Sequence, residues 1–450
     1  MVKFQWADPG FAAHQFFKSM TFEFKDNYMY THSNAWKPAL ATLVAFTYAI
    51  YILAYPPKYR KLGIALLAIP VTYAFLWQSY LSASSSLNDT YGRFLYIWFA
   101  NMSYEVTILE YSPRIVKEND GWKSRVREAY KVLFARAHSD KTVKGQTVPA
   151  TRVPKHNYTK SQFLARHAWK TFSLFALQCA YGILTDLYIN ADTVYGADKA
   201  IFFRRLPASL NADELWDRTD LVIYWCVINM WMYESYHSAF AVFFVALGLD
   251  DPQDWSMTLF GAMSEAWSVR RYWGKHWHDY IYHSFSGHAK IVTRQWLGMR
   301  HGLARRLLEN TMVFGVSGLM HSAVRYAQNG GMGGDCWVIS FWYLGQMVPI
   351  VIEGVVQDLW ARFKKQRGIE DTKWLVRAEK GLGYAWVIGF NMWSVSKYVH
   401  TRNDWADKAW RKKYAKKLKD WDAKREVNET SDIIDVDVGA LGGVGEKSEL

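Results

Sequence analysis

Residues 307–326, LLENTMVFGVSGLMHSAVRY, place a histidine inside an apolar segment long enough to form a membrane-spanning helix. An ionisable side chain in such a helix is costly and usually faces a polar cavity, so His321 is a candidate site residue. Apolar surroundings keep an imidazole neutral, which is the form that accepts a proton. We therefore predict that His321 is a general base. The alternative is a histidine that makes one hydrogen bond to a neighbouring helix.

Three small residues precede this histidine by one or two helical turns: Gly315, Ser317 and Gly318. Small side chains let a neighbouring helix approach closely, or leave room for a substrate. We expect Ser317 to line a substrate site beside His321.

A second block, SEAWSVRRYWGKHWHDYIYH at 264–283, combines aromatic and basic residues. Read as a helix, it places Trp273, Trp277 and Tyr280 on one face. The neighbouring face then carries Arg271, Lys275, His278 and Tyr282. This pattern predicts an amphipathic helix at the lipid headgroups. A functional interpretation adds that Arg271 and Lys275 bind the phosphates of an acidic donor, while the tryptophans wall a cavity.

The third block, 336–358, is an apolar run interrupted by Gln346 and Glu353. Glu353 either supports a polar network or belongs to the site.

Glu234 and His237 lie three residues apart in another apolar segment and could bind a metal or line a cavity. Because no second pair of ligands accompanies them, we predict no metal site.

The elements that position these residues are predicted from composition and hydropathy. The chain has 450 residues with 23 Trp and 28 Tyr, side chains that favour membrane interfaces. Segments of about 20 apolar residues are candidate spans. They are 38–55, 62–81, 94–111, 168–188, 220–248, 307–326, 336–358 and 382–400. We predict an all-α polytopic transmembrane bundle of seven or eight spans, enclosing a reaction chamber and carrying cytosolic amphipathic helices.

The net charge of +13 is concentrated in connections between the apolar segments. The connection 112–167 holds thirteen Lys or Arg against four acidic residues, which indicates a cytosolic location. No nucleic-acid recognition motif accompanies the charge, so we predict no nucleic-acid partner. The basic tail also favours the cytosol. This conflicts with eight full spans, so either 94–111 or 382–400 does not cross completely.

The predicted organisation has five parts. They are an N-terminal segment 1–37, N-terminal transmembrane helices 38–111, the basic cytosolic connection 112–167, a transmembrane core 168–400, and a charged, partly disordered tail 401–450.

Two motifs together resemble a known family. SVRRYWGKHWHDY at 268–280 is similar to an aromatic block of the wax-synthase-like branch of the membrane-bound O-acyltransferases, especially fungal terpenoid and meroterpenoid O-acetyltransferases. About 45 residues later, VSGLMHSA at 316–323 is similar to that branch's histidine motif. The span 336–358 follows, as in those enzymes. The resemblance covers roughly residues 255–360.

The resemblance implies a helical bundle around a chamber, an acyltransferase-like core, acyl-CoA entering from the cytosol and an alcohol arriving from the membrane. His321 corresponds to the family's catalytic histidine. Trp273, Trp277 and His278 correspond to its second motif. The sequence departs from common relatives at Arg271–Tyr272 and at His278–Asp279, where they have Asp-Phe and Asn or Gln.

We therefore predict acetyl transfer from acetyl-CoA to a hydroxyl of a terpenoid-type secondary metabolite, without a bound cofactor. His278 would orient the thioester or stabilise the oxyanion. Membrane lipids are expected partners, and the enzyme class suggests the endoplasmic reticulum. The alternatives are wax or sterol ester synthesis from long-chain acyl-CoA, a transporter relaying protons through His321 and Glu353, and a non-catalytic scaffold.

Overall fold

The computed structural model describes residues 33–83, 85–113, 121–133, 141–143, 146–148, 158–188, 212–255, 259–277, 282–328 and 337–400. Most of the predicted N-terminal segment, His278 and the tail 401–450 lie outside the described residues. The described chain is almost wholly helical. Its α-helices are α1 Trp36–Ala54, α2 Arg60–Leu76, α3 Ser85–Ser103, α4 Trp122–Leu133, α5 Lys160–Tyr188, α6 Ala212–Ile223, α7 Asn229–Ala246, α8 Val269–Arg271, α9 Tyr282–Lys290, α10 Leu303–Gln328, α11 Trp337–Gly345, α12 Met347–Arg367 and α13 373–400.

Two segments among the described helices are long and apolar enough to cross a membrane, namely Trp36–Ala54 and Trp337–Arg367. Large apolar side chains also lie exposed on other helices, such as Trp169 on α5 and Phe243 on α7. Exposed apolar faces of this kind are suited to contact with lipid. Seven or eight spans remain a prediction.

A small β-sheet interrupts the otherwise helical chain. Strands β1 Tyr111–Ser112, β2 Lys141–Val143 and β3 Gln146–Val148 pair antiparallel in that order. Tyr111 faces Val143 across β1 and β2. The prediction of a purely helical chain missed these strands, because segments of two or three residues are too short for an alternating pattern to emerge.

The N-terminal helices form a layer of their own. α1 packs against both α2 and α4, and alanines such as Ala45 and Ala49 are fully buried where the helices approach. The Lys131 ammonium of α4 contacts the Asp250 and Asp254 carboxylates, which follow α7. These ion pairs fasten the N-terminal layer to the remainder of the described chain.

Among the described residues, four π-helical segments adjoin the α-helices, at Tyr104–Ile108, Tyr224–Ile228, Tyr272–His276 and Ile291–Trp296. Each π segment inserts a wider turn, and such turns frequently occur at functional sites. The block 264–283 is therefore not the continuous amphipathic helix that we predicted. It contains one α-helical turn, α8, followed by a π segment that ends at His276. The backbone of the next residue, Trp277, is extended.

α13 is longer than the predicted span 382–400 and runs unbroken past Asn391 and Lys397. Both side chains are buried, together with His400. The polar residues within the predicted span therefore face the protein interior.

Candidate functional site

A cavity of about 100 Å³ lies between α3, α7, α10 and the two π segments that carry Trp225 and Trp273. Thirteen described residues line it: Arg93, Ile97, Trp225, Asn229, Tyr233, Trp273, Trp277, Val313, Phe314, Ser317, Met320, His321 and Tyr343. The structure thus brings four of the predicted site residues into one cavity. They are His321, Ser317, Trp273 and Trp277.

His321 is held by aromatic contacts. Its ring stacks on the Tyr343 ring of α11, with centroids 4.6 Å apart and planes 12° apart. The Tyr398 ring of α13 meets the imidazole edge-on, at 6.4 Å between centroids. These contacts restrict the orientation of the imidazole at the cavity wall.

Close packing of α10 on α11 makes that stacking possible. A Cβ atom on Gly318 would lie 2.9 Å from the Cα and carbonyl oxygen of Ser340, so only glycine fits without a shift. The Ser322 and Ser340 hydroxyls share a hydrogen bond of 2.7 Å at the same interface. The small residues near His321 therefore serve helix approach at Gly318 and cavity lining at Ser317.

The tryptophans form an aromatic wall. Trp277 stacks on Trp225 with centroids 5.9 Å apart and planes 4° apart. Trp273 meets Trp277 edge-on at 5.9 Å, and its Nε1–H donates to the Oε1 of Gln346 at 3.2 Å. The amide of Gln346 in turn donates to the Ser394 hydroxyl at 3.3 Å. Gln346 thus connects the wall to α13.

Glu353 does not line the cavity. Its Oε1 accepts hydrogen bonds from the Val269 amide at 2.5 Å and the Trp386 indole at 2.8 Å. Its Oε2 accepts from the Arg270 amide at 3.1 Å. The carboxylate therefore caps the first turn of the tryptophan motif, which supports the network interpretation of Glu353.

The two predicted phosphate-binding residues also lie away from the cavity lining. Arg271 pairs with Glu265, and its guanidinium lies 4.6 Å from the Trp267 ring centroid. Lys275 is exposed. Their predicted contact with a donor stays a prediction, as does the role of His278, which is outside the described residues.

His276, which we did not single out, is a fully buried histidine of the motif. Its Nδ1 lies 2.9 Å from the Gly261 carbonyl oxygen, and the Gly261 amide donates to the His276 carbonyl at 2.9 Å. Burial lowers the pKa of His276, although the Gly261 carbonyl opposes this, so the neutral ring donates through Nδ1. The reciprocal pair fixes the end of the π segment directly before Trp277.

Sequence reasoning also missed three polar residues of the cavity: Arg93, Asn229 and Tyr233. The predicted span 94–111 begins after Arg93, whereas α3 begins at Ser85. Asp89 and Arg93 have the i, i+4 spacing of a helical ion pair, a signal that could have indicated the earlier start.

Glu234 and His237 have other partners and do not line the cavity. Glu234 pairs with Lys170 of α5. The His237 ring lies 5.2 Å from the Trp255 ring. In the part of the chain that the structure describes, no group of three or more His, Cys, Asp or Glu residues could hold a metal ion.

The chain is similar to one protein family and to several individual proteins. Residues 255–344 match the membrane bound O-acyl transferase family. The acetyltransferase nanB of Aspergillus nanangensis is 28% identical over 187 residues, which are 41% of this chain and 43% of nanB. The acetyltransferase fsoF of Humicola fuscoatra is 28% identical over 255 residues, which are 55% of this chain and 60% of fsoF. The acetyltransferase eriL of Hericium erinaceus is 30% identical over 190 residues, which are 41% of this chain and 44% of eriL.

The matches thus span about two fifths to three fifths of these relatives' length. His321, Ser317 and both tryptophans lie within the matched segment 255–344. The predicted resemblance to the fungal acetyltransferase branch of the membrane-bound O-acyltransferases is therefore confirmed.

Proposed function

We propose that the chain is a membrane-bound O-acyltransferase that transfers acetyl from acetyl-CoA to a hydroxyl of a terpenoid-type metabolite. The observation that carries the proposal is the shared cavity of His321, Ser317, Trp273 and Trp277. Two motifs about 45 residues apart supply these side chains, and both fall within the family match. The acetyltransferase names of the relatives support the same reaction class.

The proposed reaction is direct transfer. Neutral His321 accepts the proton of the acceptor hydroxyl while the oxygen attacks the thioester carbonyl carbon. The tetrahedral intermediate then collapses as its carbon–sulfur bond breaks. The proton on His321 passes to the departing thiolate, so ester and free CoA leave and the histidine is again neutral. Holding both substrates together in the cavity supplies much of the rate.

The acetyltransferase names of the relatives favour a short donor over a long acyl chain. Apolar rings such as Trp225 and Phe314 form much of the wall and suit a lipophilic acceptor.

The position of Glu353 argues against the transporter alternative. A proton relay through His321 and Glu353 needs a path between them, but Glu353 is engaged with two backbone amides and an indole.

We further propose a multi-pass protein of the endoplasmic reticulum, with acyl-CoA and membrane lipids as its partners. The exposed apolar faces of the helices support membrane embedding.

The function is tested with purified protein in lipid nanodiscs. Acetyl-CoA and palmitoyl-CoA are each supplied with a panel of hydroxylated terpenoids, a long-chain primary alcohol and a sterol. Ester formation is followed by mass spectrometry, and free CoA by a thiol reagent. We expect acetyl esters of a terpenoid alcohol with matching CoA release. Preferential palmitoyl transfer would contradict the donor assignment, and no transfer from either thioester would contradict the enzyme assignment.

A further inference from the structure

Arg93 is the permanently charged side chain among the described residues that line the cavity, and that lining contains no carboxylate. Arg93 lies on α3, outside the segment matched to the family. It faces the same cavity as His321, which lies on α10. The N-terminal part of the chain therefore contributes a cation to the candidate site.

Two neighbours hold the Arg93 guanidinium. Its Nη2 pairs with the Asp89 carboxylate one turn earlier on α3. Its Nη1 donates to the Tyr233 hydroxyl on α7 at 3.2 Å. The Arg93 side chain is 19% exposed and that of Asp89 is 7% exposed. A partly buried guanidinium held at two points has little freedom to move, as preorganised electrostatic stabilisation requires.

Asp89 does not fully neutralise this arrangement. The Nε of Arg325 on α10 lies 3.5 Å from Asp89 Oδ1, so two guanidinium groups share one carboxylate. Those three side chains carry one net positive charge. Because a charge is screened less in a buried site than in water, an anion that develops in the cavity is stabilised there.

We propose that Arg93 binds the thioester carbonyl oxygen and stabilises the oxyanion of the tetrahedral intermediate. This inference rests on the proposed acyl transfer. As the acceptor oxygen adds to the carbonyl carbon, the π electron pair moves to the carbonyl oxygen beside Arg93. The pair returns when the carbon–sulfur bond breaks, and the thiolate takes the proton held by His321. His321 thus accepts and returns the proton, and Arg93 stabilises the negative charge on the carbonyl oxygen.

A purely structural role for Arg93 has a matched comparison in the same ion-pair group. Arg325 also contacts Asp89 but is not among the described cavity-lining residues. If Arg93 serves only to join α3 to α10, its replacement and that of Arg325 would have similar effects. If Arg93 meets the oxyanion, its replacement slows the chemical step far more than the replacement of Arg325.

The test compares Arg93→Gln, Arg93→Lys and Arg325→Gln with the wild-type protein in nanodiscs. Turnover of acetyl-CoA with the best terpenoid acceptor is measured per folded molecule, using size-exclusion profile and Tm to quantify folding. We expect Arg93→Gln to lower kcat by about 10²–10³-fold with KM for acetyl-CoA changed only a few-fold. Arg93→Lys should recover part of the loss, because it keeps the charge without the bidentate fork. Arg325→Gln should lower kcat distinctly less than Arg93→Gln, because it removes part of the positive charge but leaves the Arg93 donor in the cavity.

Three results would overturn the inference. One is an Arg93→Gln protein, or an Arg93→Met protein if glutamine prevents folding, with wild-type kcat. Another is an equal loss of kcat in Arg325→Gln. Each of these leaves the acyltransferase assignment intact, because the wild-type protein still turns over. Absence of acyl transfer by wild-type protein would overturn both the assignment and the role of Arg93.

Discussion

The Trp273 indole donates a hydrogen bond of 3.2 Å to Gln346, the residue at which α11 gives way to α12. Gln346 is buried and its amide also reaches the Ser394 hydroxyl of α13. One side chain thus connects the tryptophan motif to two other helices of the core. The position of Trp273 in the cavity wall depends on this connection.

Gln346→Leu should therefore weaken both structure and activity. The substitution leaves the Trp273 indole N–H and the Ser394 hydroxyl without this partner, at a cost of about 1–3 kcal/mol for a buried polar group. We expect a lower Tm and a several-fold drop in turnover. Gln366→Leu, at an exposed position of α12, is the control. Equal Tm values for the two variants would contradict the bridging role of Gln346.

Gly318 and Gly315 offer a matched pair on α10. A Cβ at Gly318 would meet the Ser340 backbone at 2.9 Å, whereas one at Gly315 would meet Leu344 at 3.5 Å, an ordinary contact. Gly318→Ala should destabilise the protein by about 1–3 kcal/mol through overpacking and displace His321 from Tyr343. Gly315→Ala should be tolerated. Thermal unfolding and turnover measure both, and a Gly318→Ala protein as stable and active as Gly315→Ala would refute the packing argument.

The Glu353→Gln variant distinguishes a structural role of Glu353 from a role in proton transfer. The Glu353 carboxylate accepts hydrogen bonds from the N–H groups of Val269, Arg270 and Trp386. A glutamine side chain would place its own NH2 group against one of these donors. Losing a hydrogen bond to a charged group costs about 1.5–3 kcal/mol. We expect a lower Tm and reduced but measurable acyl transfer, with exposed Asp358→Asn as control. Complete loss of activity at unchanged Tm would instead indicate direct participation of Glu353.

The pKa of His276 predicts a pH dependence of stability. Burial lowers the pKa in the folded state below the ordinary value of about 6.5, so the unfolded chain binds the proton more readily. The stability contribution is present above about pH 6.5 and is lost as the pH falls below it. His276→Asn keeps a donor for Gly261 but does not titrate. Its Tm should fall less than that of the wild-type protein between pH 7.5 and 5.5, and equal slopes would contradict the assignment.

The sequence was sufficient to single out His321, Ser317 and the two tryptophans, because each stands out against its local pattern. An ionisable group in an apolar helix and paired aromatic residues at helical spacing are visible without coordinates. Arg93 was not predicted, because it lies in a polar stretch and only long-range packing brings α3 beside α10. Glu353 was singled out, but its capping partners were not, because Val269 and Arg270 lie more than 80 residues away in the chain.

The block around Trp273 shows why local periodicity was insufficient there. Helical spacing placed Arg271 and Lys275 on one face, but the π segment after Arg271 changes the rotation per residue. Arg271 instead meets Glu265, which is on the preceding short turn. The α-helical periodicity predicted for this block therefore does not continue beyond Arg271, although Trp273 and Trp277 line one cavity.

The central claim is that His321 removes the proton of the acceptor hydroxyl. The most direct measurement is single-turnover acetyl transfer by His321→Ala in nanodiscs, with His301→Ala, an exposed histidine on the preceding loop, as control. We predict that His321→Ala keeps its Tm and its binding of acetyl-CoA but transfers acetyl about 10²–10⁴-fold more slowly, while His301→Ala matches wild type. A folded His321→Ala protein that transfers acetyl at the wild-type rate would contradict the account.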